Sequence, residues 1–230
     1  MNTIATGNIW QIQSRLDIEF LNRKYSALTP GERIRELHHD FKKVLFTSSF
    51  GTTSVLLLDL MHKAGVKPSI YFINTTFHFK ETIDYKNILQ KRYDFDIIEL
   101  VPERKENEFS QIAELYKYDP DRCCSINKVA PLEKVKYEYD IWVSGLMNWQ
   151  STERENLNIF EERKGMLKFY PLIDIPEEDA WQYIYENELP VHPLKPLGYE
   201  SIGCKHCTIK GEKRNGRWAQ SVKTECGLHQ

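Results

Sequence analysis

Val44-Leu45-Phe46-Thr47, then Ser48-Ser49-Phe50-Gly51-Thr52-Thr53-Ser54, then Val55-Leu56-Leu57-Leu58-Asp59-Leu60-Met61-His62-Lys63 is the stretch on which the fold turns. The first four residues predict a buried strand, the next seven a turn of small polar residues, and the last nine an apolar helix. Strand, small-residue turn and helix in this order aim backbone N–H groups and a helix N-terminus at a phosphate. Ser48, Ser49, Gly51, Thr52 and Ser54 are therefore candidate substrate-binding residues. The turn lacks the Gly-Lys-Ser/Thr ending of a Walker loop and the spacing of a dinucleotide G-x-G-x-x-G. Serine and threonine at a helix start read equally well as plain caps.

Working outward, the same alternation recurs. A strand at Ser69–Ile73 ends in Asn74-Thr75-Thr76, at the carboxyl edge where open α/β sheets place ligands. Helices are predicted over Lys80–Tyr93, about Asn107–Tyr116, Ser125–Tyr137 and from Pro176 to Glu186, where proline and three acidic residues suit a first turn. Further strands are predicted at Asp96–Val101 and Tyr139–Leu146, with a short fifth at Leu167–Tyr170. Upstream, residues 8–40 read as two helices: Ile9, Ile12, Leu16, Phe20 and Leu21 keep helical spacing, and Thr29-Pro30 opens the second, with Ile34 and Leu37 inward and His38-His39 on the surface. The expected architecture is α/β, a doubly wound parallel sheet. Three segments follow: a helical segment at 1–40, a nucleotide-binding α/β domain at 41–195, and a cysteine-containing catalytic tail at 196–230 that a metal holds against the sheet.

The chain has five cysteines. Cys123-Cys124 form a doublet and Cys204-Lys205-His206-Cys207 a C-x-x-C, together the count of a tetrathiolate metal site. Two vicinal thiolates fit poorly on one tetrahedral ion and better on separate irons of a cluster, which leaves zinc as the second choice. Cys226 stands alone, nineteen residues after Cys207. A lone thiol on a tail among basic residues is a candidate nucleophile. From Gly203 to His229, six basic residues (Lys205, Lys210, Lys213, Arg214, Arg217, Lys223) face two acidic ones (Glu212, Glu225). A small anion fits there, as does a solvated loop.

At 230 residues the chain can bury a complete core, so no cysteine is needed as a disulfide staple. Net charge is −2, giving no global field for nucleic acid. Residues 1–6 lack the basic start and apolar run of a secretory signal, and no apolar run approaches about 20 residues, so a cytoplasmic protein with no membrane partner is expected.

At these residues the chain resembles the assimilatory sulfonucleotide reductases, which act on adenylyl sulfate or phosphoadenylyl sulfate. The resemblance spans about Val44 to His229. It rests on Cys123-Cys124, on Gly198-Tyr199-Glu200-Ser201-Ile202-Gly203-Cys204-Lys205-His206-Cys207-Thr208, on Gly216-Arg217-Trp218 and on Glu225-Cys226-Gly227-Leu228-His229. It implies the adenine-nucleotide α-hydrolase (PP-loop) fold. The cysteine pairs imply the iron–sulfur branch, usually specific for adenylyl sulfate, with a 4Fe-4S cluster on Cys123, Cys124, Cys204 and Cys207. It also implies that Cys226 attacks the sulfur, that an S-sulfonate forms with loss of AMP, and that thioredoxin or a similar dithiol protein releases sulfite. Lys128 matches the family lysine between cluster and substrate. Arg217 and Arg214 are expected to supply further positive charge, Arg154 to contact substrate, and His229 to position the tail. Alternatives from other classes are a phosphoadenylyl-sulfate reductase, a divergent PP-loop paralogue acting on another activated sulfur compound, and a protein that only binds a nucleotide. A homo-oligomer is left open.

The sequence departs from the family pattern at four places. Thr53 stands where an acidic residue is usual, Asn74-Thr75-Thr76 replaces Asp-Thr-Gly, Asn127 replaces an arginine, and Gly145-Leu146-Met147-Asn148 replaces Gly-x-Arg-Arg. Each missing charge-assisted bond to an anion corresponds to about 1.5–3 kcal/mol.

Overall fold

The computed structural model describes residues 17–219 and 223–228. The predicted positions Ile9, Ile12, Leu16 and His229 lie outside them. Helix α1, described over residues 17–26, is followed by α2 (Pro30–Asp40), whose start is a capping box: Glu32 N–H meets the Thr29 hydroxyl and the Glu32 carboxylate accepts from Thr29 N–H. Strand β1 (Val44–Thr47) leads into α3 (Ser54–Lys63), β2 (Ile70–Ile73) into α4 (Lys80–Tyr93), and β3 (Ile97–Leu100) into α5 (Arg104–Ile112). Short helices α6 (Leu115–Tyr118) and α7 (Pro120–Cys124) lead through a π-turn at Ser125–Val129 into α8 (Ala130–Lys136). Strands β4 (Ile141–Val143), β5 (Phe160–Arg163) and β6 (Met166–Phe169) precede α9 (Glu177–Glu186).

The sheet has six strands in the order β3-β2-β1-β4-β6-β5. Five are parallel, as expected, and β5 runs antiparallel to β6 at the edge. Strand β5 is absent from the sequence-based expectation because Phe-Glu-Glu-Arg shows little apolar alternation. The signal that finds it is the two-residue turn Lys164-Gly165, both with positive φ (52° and 66°), the conformation that closes a tight hairpin. The helix predicted over Asn107–Tyr116 instead breaks after Ile112, where Glu114 enters the left-handed region (φ 47°) and the chain restarts as α6. The helix predicted from Ser125 opens as a wider π-turn, which rotates Lys128 relative to Cys124.

Alternate residues of the strands point to opposite faces, and each face has its own core. Phe46, Ile70, Phe72, Val143 and Phe169 pack against α2, α3 and α4 through Ile34, Leu37, Leu57 and Leu89. Leu45, Ile73, Trp142 and Met166 pack on the other face against Leu132 of α8 and Leu228 of the tail. This two-sided covering is what makes the sheet doubly wound. Because the chain goes from β1 to β2 on one side and returns to β4 on the other, the crevice between β1 and β4 is the topological switch point.

The tail expected to be held by a metal is also fastened by protein contacts. His78 and Cys204 form an antiparallel bridge, and Lys205 N–H donates to the Phe77 carbonyl at 2.7 Å. The Thr52 hydroxyl donates to the Glu200 carbonyl (3.0 Å) and buried Lys168 donates to the Leu228 carbonyl (2.9 Å). Among the described residues no helix is long and apolar enough to cross a membrane.

Candidate active site

A cleft of about 220 Å³ opens at the switch point. Its floor is Thr47 and the loop after β1, with Ser144, Gly145 and Leu146 after β4 beside it. Phe50 anchors the loop: it is fully buried, takes a left-handed conformation (φ 49°) and packs edge-on against Phe72 at 5.5 Å. Thr53, the residue before α3, makes no side-chain cap, so the helix N-terminus faces the cleft uncapped. The Thr52 hydroxyl donates to Glu200 and that of Ser54 to the Gly51 carbonyl at 2.7 Å, which leaves backbone N–H groups and exposed Ser49 as the loop's offering to an anion.

The tail forms the opposite wall. Of the predicted substrate contacts, Lys128, Arg154, Arg214 and Arg217 all line the cleft together with Cys226. Lys128 Nζ lies 3.8 Å from Cys226 Sγ. The Arg217 guanidinium lies 4.3 Å from the Trp218 ring centre and against Gly203, where an added Cβ would push it aside. The buried Nε atoms of Arg214 and Arg217 have no hydrogen-bond partner among the described residues, as expected of donors awaiting an anion. Arg154 lines the cleft while bound to other residues of the chain. It is 6 % exposed and its guanidinium is engaged by Glu225 and Gln150 rather than held open.

The other four thiols line a separate small cavity with Phe77, Tyr116, Asn127, Lys128 and His206. The doublet comes from the end of α7 and the C-x-x-C from the tail, so the two pairs meet only in the folded chain. Polar groups surround the sulfurs: Asn127 Nδ2 and Ser110 Oγ donate to Cys123 Sγ at 3.6 and 3.8 Å, and Thr75 Oγ1 lies within hydrogen-bond distance of Cys204 Sγ at 3.4 Å. Buried Asn127, at the position where an arginine was expected, also donates to the Cys123 carbonyl at 2.9 Å. It serves the thiol cavity, not the cleft. Thr76, where the family pattern has glycine, takes a positive φ of 66° and is held by Asn74 and Asn107.

The charges sort the thiols. Burial pushes Cys123 up, and burial followed by its neighbour Cys204 pushes Cys207 up to about 11. Cys226 is driven well below the ordinary thiol range by a hydrogen bond from Cys124 and, against the cost of burial, by Lys128 and Arg217. Burial opposes the charge on Lys128, but Cys204, Cys226 and Cys124 outweigh it and hold this lysine protonated.

Several cleft residues were not anticipated. His78, Trp149, Gln150, Trp181 and Lys213 line it, and Gln150 donates to the Thr53 hydroxyl (3.3 Å). His78 Nε2 donates to the Ile73 carbonyl (3.0 Å), and burial lowers its pKa to about 4, which keeps it neutral. Only its place just after β2, at the carboxyl edge of the sheet, could have flagged it.

Fold and cleft together define an α/β protein of the PP-loop type with a tail thiol in its cleft. The profile described as phosphoadenosine phosphosulfate reductase domain matches residues 43–210, and the chain belongs to that family. It is 35 % identical over 224 residues to a Gloeobacter violaceus protein named phosphoadenosine 5′-phosphosulfate reductase, covering 92 % of this chain and 93 % of that one. It is 35 % identical over 202 residues to a Bacillus mycoides protein named adenosine 5′-phosphosulfate reductase, covering 84 % and 86 %. Among solved structures, the phosphoadenylyl-sulfate reductase of Candida auris in its phosphate complex superposes with a TM-score of 0.72 at 28 % identity, over 84 % of this chain and 96 % of that one. The FMN adenylyltransferase of Candida glabrata shares the fold alone, with a TM-score of 0.60 at 16 % identity over 85 % and 65 %.

Proposed function

We propose that the protein is a sulfonucleotide reductase that converts adenylyl sulfate to sulfite and AMP, with phosphoadenylyl sulfate as the second candidate substrate. The observation that carries this is the position of Cys226: a thiol beside Lys128 and Arg217, in the same cleft as the uncapped N-terminus of α3. The cleft's Trp149, Trp181 and Leu57 offer apolar surface for a base, and the loop and basic tail offer donors for a phosphosulfate.

In the first step the Cys226 thiolate attacks the sulfur; the new S–S bond forms as the bridging S–O bond breaks, and AMP leaves with that electron pair. Lys128, Arg217 and Arg214 neutralise the sulfonate oxygens as charge shifts toward the leaving phosphate. In the second step a thiolate of thioredoxin, or of another dithiol protein, attacks Cys226 Sγ and expels sulfite. Its second thiol then resolves the mixed disulfide and frees Cys226, so the donor is oxidised by two electrons and the sulfur is reduced by two.

We further propose that Cys123, Cys124, Cys204 and Cys207 hold a 4Fe-4S cluster. The fit rests on the donor set: four cysteines around one cavity, with Asn127, Ser110 and Thr75 directed at the sulfurs in the manner of partners that tune cluster ligands. Bound there, the cluster supplies a staple and an electrostatic neighbour to Lys128, while the two thiol steps need no electron from it.

The test is anaerobic incubation with adenylyl sulfate or its 3′-phospho form and no thiol, read by intact mass and peptide mapping. A sulfonate adduct on Cys226 is expected, and the faster nucleotide names the substrate. No adduct from either, in protein with its iron in place, overturns the assignment.

A further inference from the structure

Glu225 immediately precedes the nucleophile and is 3 % exposed, an unusual burial for a carboxylate in a basic tail. Both of its oxygens are engaged. Oε2 accepts from Arg154 Nε at 2.9 Å and lies 2.9 Å from Arg154 Nη2. Oε1 accepts from Arg214 Nη2 at 2.8 Å and from the backbone N–H of Cys226 at 2.8 Å. Arg154 follows β4 and belongs to the sheet domain, and it also donates to Gln150 in the turn just before it. The ion pair therefore crosses from the sheet to the tail and ends on the peptide group of the reactive cysteine. Beyond Cys226, Gly227 leaves only ordinary contact room against Cys124 and less against Val129, so the chain on that side is already against the π-turn.

In this geometry Arg154 is committed chiefly to the protein itself. The Nε/Nη2 edge of its guanidinium is closed on Glu225, and Nη1 donates to Gln150. We propose that Glu225 is a positioning residue: with Arg154 as its anchor in the sheet, it latches the tail and fixes the Cys226 backbone, so that the thiol stays between Lys128 and Arg217. Arg214 shares the carboxylate from the tail side and is tethered by it, while its Nε has no hydrogen-bond partner among the described residues. The consequence for turnover rests on the reductase assignment above; the latch itself does not.

The experiment compares wild type with Glu225→Gln and Arg154→Gln, each as iron-loaded full-length protein. Hydrogen–deuterium exchange is read over the tail and over β1 and β4, and steady-state constants are taken with the nucleotide identified above. Glu225→Gln keeps the shape of the side chain and removes its charge. Loss of the charged bonds should speed exchange of the tail amides around Cys226 by about ten- to a hundredfold in both variants, leaving β1 and β4 unchanged. kcat should fall by a similar factor, with KM changing by less than about threefold, because a misplaced nucleophile costs turnover rather than ground-state binding. Tail exchange as slow as wild type in both variants overturns the latch. A large rise in KM at constant kcat also overturns it, by making these residues substrate ligands. If no nucleotide turns over in wild type, the assignment of function fails, and the exchange arm still decides the latch.

Discussion

The thiol cavity and the cleft share a wall, yet they treat the same side chain in opposite ways. In the cavity, burial pushes Cys123 up, and burial followed by the neighbouring Cys204 pushes Cys207 up. In the cleft, a hydrogen bond from Cys124 pulls Cys226 down and, against the cost of burial, Lys128 and Arg217 act in the same direction. The two regions touch at Cys124 and Cys226, with Lys128 lining both. Lys128 pulls on thiols of both regions; what sets Cys226 apart is the added hydrogen bond from Cys124.

The sharpest way to break this contrast is to remove the nucleophile. Cys226→Ala should lower turnover by about 10⁴-fold or more, while iron content and nucleotide affinity stay at wild-type levels. Loss of iron in that variant would mean that Cys226 belongs to the cavity set. The reverse substitution is Cys204→Ser. It should abolish iron binding, read by metal analysis and by the visible absorption of the protein, and loosen the tail where Cys204 pairs with His78.

Lys128→Ala tests the shared wall. With its charge gone, the first step should slow by about 10²- to 10³-fold, the range seen when one preorganised oxyanion donor is lost. Cys226 alkylation should also require a higher pH than in wild type. Alkylation at unchanged pH would show that Lys128 does not set the thiolate.

Lys168 offers a smaller, pH-dependent test of how the tail is held. It is 3 % exposed, donates to the Leu228 carbonyl and lies over the Trp142 ring at 4.2 Å; burial lowers its pKa from 10.5 to about 8. Between those values the unfolded chain binds the extra proton, so stability should rise with pH across that window, by up to about 3 kcal/mol. Comparing denaturant midpoints of wild type and Lys168→Met at pH 7.5 and 10 checks it: the rise specific to wild type should vanish in the variant. The smallest effect is expected from Gly203→Ala, which forces Arg217 to move. It should cost about 1–3 kcal/mol in packing and raise KM more than it lowers iron content.

Much of the frame was legible in sequence because it rests on local pattern. Val44–Thr47, the small-residue turn and the apolar helix after it have the expected form, and Lys80–Tyr93 matches its helix end to end. The edge hairpin was not, since β5 carries two glutamates and an arginine and owes its place to pairing with β6. The break after Ile112 likewise follows from Glu114 entering the left-handed region, which no periodicity encodes.

The candidate site divides the same way. By itself the sequence determined the alternation of strands and helices, the two cysteine pairs and the lone tail thiol, because spacing and residue chemistry survive without coordinates. Only the tertiary structure decided that Arg154 is closed on Glu225 and that Asn127 serves the thiol cavity. It also decided that Cys226 lies against Lys128, 98 residues away in the chain. Those outcomes depend on which side chains the sheet's switch point and the docked tail bring within a few ångströms of one another. Charge acts over that distance, so the state of each thiol is a property of the folded chain.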